Sequence, residues 1–87
     1  MPNFEHNSDK FGYINLESMA GVQKALNSLG HDAGTPDGKD GPNTQRAVRE
    51  FQASLSIKID GIVGPQTRQS LMEELQKRSG DGAAPSV

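Results

Sequence analysis

The chain has 87 residues, no cysteine, no tryptophan and a hydrophobic fraction of 32%, which is material for one small core and no second domain. Nine Lys and Arg against eleven Asp and Glu give a net charge of -2, and the basic residues are scattered from Lys10 to Arg78, which removes the electrostatic case for nucleic acid. Without cysteine there is no disulfide framework or thiolate metal site, His6 and His31 could hold zinc only with carboxylate help, and no stretch approaches the ~20 apolar residues of a membrane span.

Residues 1–15 form a polar N-terminal arm that nevertheless holds Phe4, Phe11 and Tyr13, three of the four aromatics. Tyr13 and Ile14, next to the first helix, are expected to pack back on the domain. Phe4 and Phe11 are expected to be mobile or held by a neighbouring protein, so all three aromatics are candidate partner anchors. MPNFEHNSDK has neither a basic n-region nor an apolar h-region, so no export signal is expected.

In the next segment Met19, Val22, Leu26 and Leu29 recur at steps of three and four, which predicts a helix over about 16–29. Gly30 sits where a left-handed residue ends such a helix. GPNT at 41–44 opens a second helix with proline in its first turn, and Ala47, Val48, Phe51 and Leu55 line one face. SIKIDGIVG at 56–64 alternates Ile57 and Ile59 before a turn, which predicts a short extended piece. GPQT at 64–67 opens a third helix carrying Leu71, Met72 and Leu75, and it ends by Lys77 and Arg78, whose charge suits a helix C-terminus. The resulting fold class is all-α, a small three-helix bundle over 16–78. Its expected core is Val22, Leu26, Leu29, Val48, Phe51, Leu55, Ile59, Val63, Leu71 and Leu75. Glu50, Glu73 and Glu74 are expected on solvated helix faces, and 79–87, SGDGAAPSV, has the composition of a disordered tail.

DGKDGPNTQRAV at 37–48 and DGIVGPQTRQSL at 60–71 align at a constant offset of 23, so the two later helices are opened by one repeated turn, Asp-Gly-x-x-Gly-Pro-x-Thr. Asp37 and Asp60 can accept from backbone N–H groups two residues on, Gly38 and Gly61 permit positive φ, Gly41 and Gly64 let the chain enter the helix closely, and Thr44 and Thr67 can bond back across the first turn. Calcium fits poorly. With Asp37 or Asp60 at the fifth loop position, positions one and three are Ala33 and Thr35, or Ser56 and Lys58, and the twelfth is Thr44 or Thr67 instead of a bidentate Glu. No metal and no cofactor is therefore expected.

VQKALNSLGHDAG at 22–34, PDGKDGPNTQRAVREFQ at 36–52 and SIKIDGIVGPQTRQSL at 56–71 together resemble the peptidoglycan-binding domain family of the three-helix, PGBD-like type. The family pattern of Val-Gln, Leu, Leu-Gly, Asp-Gly, Gly, Thr, Ala-Val, Phe-Gln, Asp-Gly, Val-Gly, Thr and Leu is met in order by residues from Val22 to Leu71. The chain departs from it at Asp40, where an aromatic or aliphatic residue is common, and at His31, where tyrosine is common. The resemblance implies a non-catalytic module that binds glycan and stem peptide of the bacterial wall and targets an associated enzyme or particle there.

A mixed amide, hydroxyl and cation surface is what such a ligand needs. Lys39, Asn43, Thr44 and Arg46 near the second helix start, with the flat ring of His31, are the candidate ligand-binding set. Gln23 and Gln52 read as structural, each capping a loop. No catalytic residue is assigned: His6 lies in the arm, His31 in a turn, and no G-x-S-x-G elbow occurs. The competing expectation is a structural adaptor of a phage tail or contractile injection particle, assembled in the cytoplasm, which uses the same fold and the aromatic arm to dock onto a protein. The two expectations place the chain at the bacterial wall or periplasm, or on a particle.

Overall fold

The computed structural model describes residues 4–79, in the order β1 (Glu5–Ser8), β2 (Gly12–Asn15), α1 (Met19–Ser28), α2 (Pro42–Ser54) and α3 (Pro65–Ser79). Three helices dominate, but the all-α expectation is corrected by the antiparallel pair β1–β2. The register sets His6 opposite Ile14 and Ser8 opposite Gly12, so His6, Ser8 and Ile14 share the buried face. Two of these three inward residues are polar, which hides the strands from a search for apolar alternation. The buried polar pair is satisfied internally: His6 Nε2 and Ser8 Oγ share a hydrogen bond of 2.8 Å, and Ser8 Oγ accepts from the Phe11 N–H at 3.1 Å.

The pleat also reorders the arm aromatics. Ile14 points inward and is buried as expected, so its neighbour Tyr13 must point outward, and it is half exposed. Phe4 and Phe11, expected to be free of the domain, are half-buried against its core.

Helix α1 begins at Met19, three residues later than the periodicity predicts, because Ser18 caps it: its Oγ accepts the Gly21 N–H at 3.0 Å. Leu16 lies in the turn between β2 and α1, donates its N–H to Phe4 O at 2.8 Å, and is fully buried. At the far end Gly30 takes φ +93°, and the His31 N–H returns to Leu26 O at 2.8 Å. Helix α2 ends in the same way, with Ser56 in the left-handed region at φ +58° and the Ile57 N–H on Gln52 O at 3.1 Å. That turn replaces the extended piece expected over 56–64, where no strand forms. Ile59 is thereby left 55% exposed and drops out of the expected core.

Helix α1 is the hub of the packing, touching α2, α3 and β2, while β1 lies on α3. Val22, Leu26, Leu29, Val48, Phe51, Leu71 and Leu75 are buried as their spacing predicts, and Phe51 is the largest of the fully buried side chains. Leu55 and Val63 are half-buried at the edge, and Ile14, Leu16, Ala25, Ala33, Ala47 and Met72 complete the core. Glu74 corrects another expectation. It is buried, not solvated, and its carboxylate meets Lys77 and Arg78 at 3.3 Å each. The Lys10 ammonium donates to Arg78 O at 3.0 Å and the Arg68 Nε to Leu16 O at 2.8 Å, which fastens the N-terminal segment to α3. Of the tail expected from residue 79, Ser79 ends α3 and 80–87 lie outside the described residues.

Candidate functional site

Two buried glutamines organise the turns that precede α2 and α3. Gln23, on α1, donates through Nε2 to Lys39 O at 2.7 Å, to Thr44 Oγ1 at 2.9 Å and to Asp37 Oδ1 at 3.4 Å, while its Oε1 accepts from the Gly38 N–H at 2.9 Å. Gln52, on α2, donates to Asp60 Oδ1 at 2.9 Å and to Ile62 O and Thr67 Oγ1 at 3.1 Å, and its Oε1 accepts from the N–H groups of Asp60 and Gly61 at 3.2 and 3.0 Å. Gly38 and Gly61 both take positive φ. The threonine hydroxyls pass the bonding on, Thr44 to Ala33 O at 3.3 Å and Thr67 to Ile62 O at 3.4 Å.

The aspartates complete each turn. Asp37 Oδ1 accepts the Lys39 N–H at 2.8 Å, and Asp60 Oδ1 accepts the Ile62 N–H at 2.9 Å. These backbone donors hold each carboxyl below the ordinary carboxylate value, helped by the Gln23 and Gln52 amides against an opposing effect of desolvation. Both aspartates stay anionic well into the acid range.

At the first turn the chain leaves a shallow depression of about 160 Å³, open to solvent. Gln23, Asp37 and Thr44 form part of it, Ala33, Gly34 and Thr35 stand on one side, and Lys39, Gly41, Pro42 and Asn43 stand at the mouth of α2. Gly41 is the N-cap of α2 and supplies no side-chain cap, in contrast to Ser18 on α1, so the positive end of the helix opens beside the depression. The lining therefore offers an ammonium, a carboxylate, amide and hydroxyl groups, and the uncapped start of a helix.

Of the five residues anticipated as ligand contacts, Lys39, Asn43 and Thr44 line this depression. Thr44 is buried and its hydroxyl is already engaged by Gln23 and Ala33. Arg46 lies outside the lining and turns its guanidinium to Asn43 Oδ1 at 3.4 Å. His31 also lies outside it, edge-on to Phe51 with ring centroids 5.9 Å apart and its Nδ1 3.8 Å from Glu50. Sequence reasoning missed Ala33, Gly34 and Thr35 as lining residues and gave Asp37 a turn role only. A usable signal was present: Gln23 precedes Asp37 by 14 residues, whereas Gln52 precedes Asp60 by eight. Among the described residues no group of three or more His, Cys, Asp or Glu could hold a metal ion, and no helix is long and apolar enough to cross a membrane.

Comparison with known proteins gives this geometry a context. An uncharacterized protein in the bpoA1 3′ region of Kitasatospora aureofaciens is 41% identical over 59 residues, covering 68% of this chain and 47% of that protein. The N-acetylmuramoyl-L-alanine amidase CwlM of Mycobacterium tuberculosis is 36% identical over 55 residues, 63% of this chain and 14% of the amidase. The chain thus spans less than half the length of either relative. The crystal structure of the SleB N-terminal domain superposes with a TM-score of 0.64 at 28% identity, over 85% of this chain and 96% of that one. The family model for the putative peptidoglycan binding domain matches residues 15–71, from the end of β2 into α3, and so takes in both glutamine-centred turns. The chain belongs to the putative peptidoglycan binding domain family.

Proposed function

We propose that the protein is a non-catalytic wall-binding module that takes a glycan–stem-peptide fragment of peptidoglycan in the depression at the start of α2, and so carries an associated enzyme or particle to the wall. The observation that carries this reading is the mixed lining of that depression in a chain of this family. Peptidoglycan presents hydroxyls, N-acetyl groups and peptide carboxylates and amines. Lys39 and the uncapped start of α2 suit a carboxylate, Asp37 suits an ammonium, and Asn43 and Thr35 suit amide and hydroxyl groups. A site this shallow supports modest affinity, and several copies on one particle or enzyme would multiply it.

The non-catalytic part of the reading is supported by where the Ser–His pair sits. Ser8 and His6 are buried on the inner face of the hairpin, closed to a substrate, and neither lines the depression. Asp37 and Lys39 lie in an open depression, which gives them little of the water exclusion that acid–base chemistry needs.

Titration of the labelled protein with soluble muropeptides, beside a pull-down on purified sacculi, tests the reading. The amides of Gly34, Thr35, Lys39 and Asn43 should move first. Shifts confined to α3, or no response at millimolar fragment, would overturn it.

A further inference from the structure

We propose that Asn27 is the positioning residue of the depression, holding its Ala33–Gly34 side in place without touching the ligand; this rests on the binding reading above. The argument starts from the difference between the two turns. From aspartate to threonine both span the same distance, Asp37 to Thr44 and Asp60 to Thr67. From glutamine to aspartate the separation is 14 in the first and eight in the second. Part of the excess lengthens the helix: α1 continues from Gln23 to Ser28, whereas α2 stops at Ser54, two residues after Gln52. The rest lies in the loop that supplies Ala33, Gly34 and Thr35 to the depression.

The extra helical length brings a side chain that the second turn cannot have. Four residues beyond Gln23 stands Asn27, still in the helix; four beyond Gln52 stands Ser56, already past the helix end at φ +58°. The Asn27 amide grips the loop with both of its ends. Its Oδ1 accepts the Ala33 N–H at 2.7 Å and its Nδ2 donates to Gly34 O at 2.8 Å. From the other side the Thr44 hydroxyl donates to Ala33 O at 3.3 Å. Asn27 is exposed and absent from the lining, so its contribution is to fix backbone that a ligand would otherwise have to order on binding.

The experiment uses the full chain with Asn27→Ala and Asn27→Asp. Asn27→Ala should weaken muropeptide binding about fivefold to tenfold, the expected scale for re-ordering a short wall, while leaving the melting temperature near that of the parent. Asn27→Asp keeps the acceptor for the Ala33 N–H and loses the donor to Gly34 O, and should recover part of the affinity. In the free protein, hydrogen exchange at the Ala33 amide should accelerate in Asn27→Ala and much less in Asn27→Asp. Parent-like affinity in Asn27→Ala, an unchanged Ala33 exchange rate, or a melting loss that matches the affinity loss overturns the proposal. If the parent itself binds no muropeptide, the binding reading fails on its own and the proposal falls with it; the Ala33 exchange rates then still report whether Asn27 holds the loop.

Discussion

Gly21 shows how much a single position can carry without any chemical group. It lies in the first turn of α1, and a Cβ built there would run into the carbonyl of Asn15 at the end of β2. The obstacle is backbone, which cannot rotate aside. Gly21→Ala should therefore destabilise the fold by about 1 to 3 kcal/mol, the range for forcing extra volume into a packed site, and chemical denaturation would measure it. In an exposed helix the same change would stabilise, so a gain would show that the β2–α1 contact is not tight. Phe51 is the opposite case, large and fully enclosed, and Phe51→Ala should cost about 3 to 5 kcal/mol. Asp37 and Asp60 act through protons instead. Their carboxyls sit below the unfolded value of 3.8, chiefly because Lys39 and Ile62 N–H groups bond the ionised forms. A depressed carboxyl stabilises the fold above its unfolded value and loses that contribution as the pH falls through its folded value. Melting temperatures should hold from neutrality down to about pH 5 and drop at more acid values; a double Asp37→Asn, Asp60→Asn variant should show a flatter acid limb. Phe51 and Gly30 were legible from spacing alone. Gly21 was not, because the strand end it meets comes from a segment the periodicity does not describe.

At the scale of elements, the helices announce themselves through their ends. Pro42 and Pro65 start α2 and α3 where the sequence places them, and Gly30 stops α1 in the left-handed conformation that its position predicts. Ser56 occupies the matching position after α2 without glycine's tolerance for it. Ser56→Gly should then stabilise the protein by about 1 kcal/mol, the usual penalty of a left-handed non-glycine residue, with no change in fragment binding; a loss in thermal melts would mean that the Ser56 side chain contributes more than its backbone strain removes. The hairpin was illegible for a physical reason. Its strands have four residues each, and His6 and Ser8 satisfy one another inside, so neither length nor hydropathy marks them. Ile59 misled in the other direction: its alternation with Ile57 reads as strand, but the Gln52-centred bonding of Asp60, Gly61 and Ile62 sets the path of that loop and leaves Ile59 outside.

For the molecule as a whole, the N-terminal hairpin is a wall of the core. Ile14 and Leu16 are buried, Phe4 and Phe11 lean on the same cluster, and β1 covers α3. Deleting residues 1–12 should therefore lower stability, with half-buried Phe4 and Phe11 each contributing less than the ~1.5 to 3 kcal/mol of a fully buried side chain, and calorimetry should show a lower melting temperature. A deletion that melts like the parent would mean that 16–79 close without the hairpin. The depression was only partly legible. Lys39, Asn43 and Thr44 follow from the repeated turn opening α2, whereas Ala33, Gly34 and Thr35 depend on a loop whose path is set by bonds from Asn27 and Thr44 on neighbouring helices, together with the Asp32 carboxylate on the Gly34 N–H.

The Lys10–Arg78 contact joins points 68 residues apart and sets β1 against the last helix. Tension applied through residues 4 and 79 would load this hairpin–α3 seam, which the Lys10–Arg78 and Arg68–Leu16 bonds close. Under steady pulling the hairpin should therefore detach in a first, small extension step before the helices separate, and a single cooperative rupture with no such step would mean that the hairpin and helices open together.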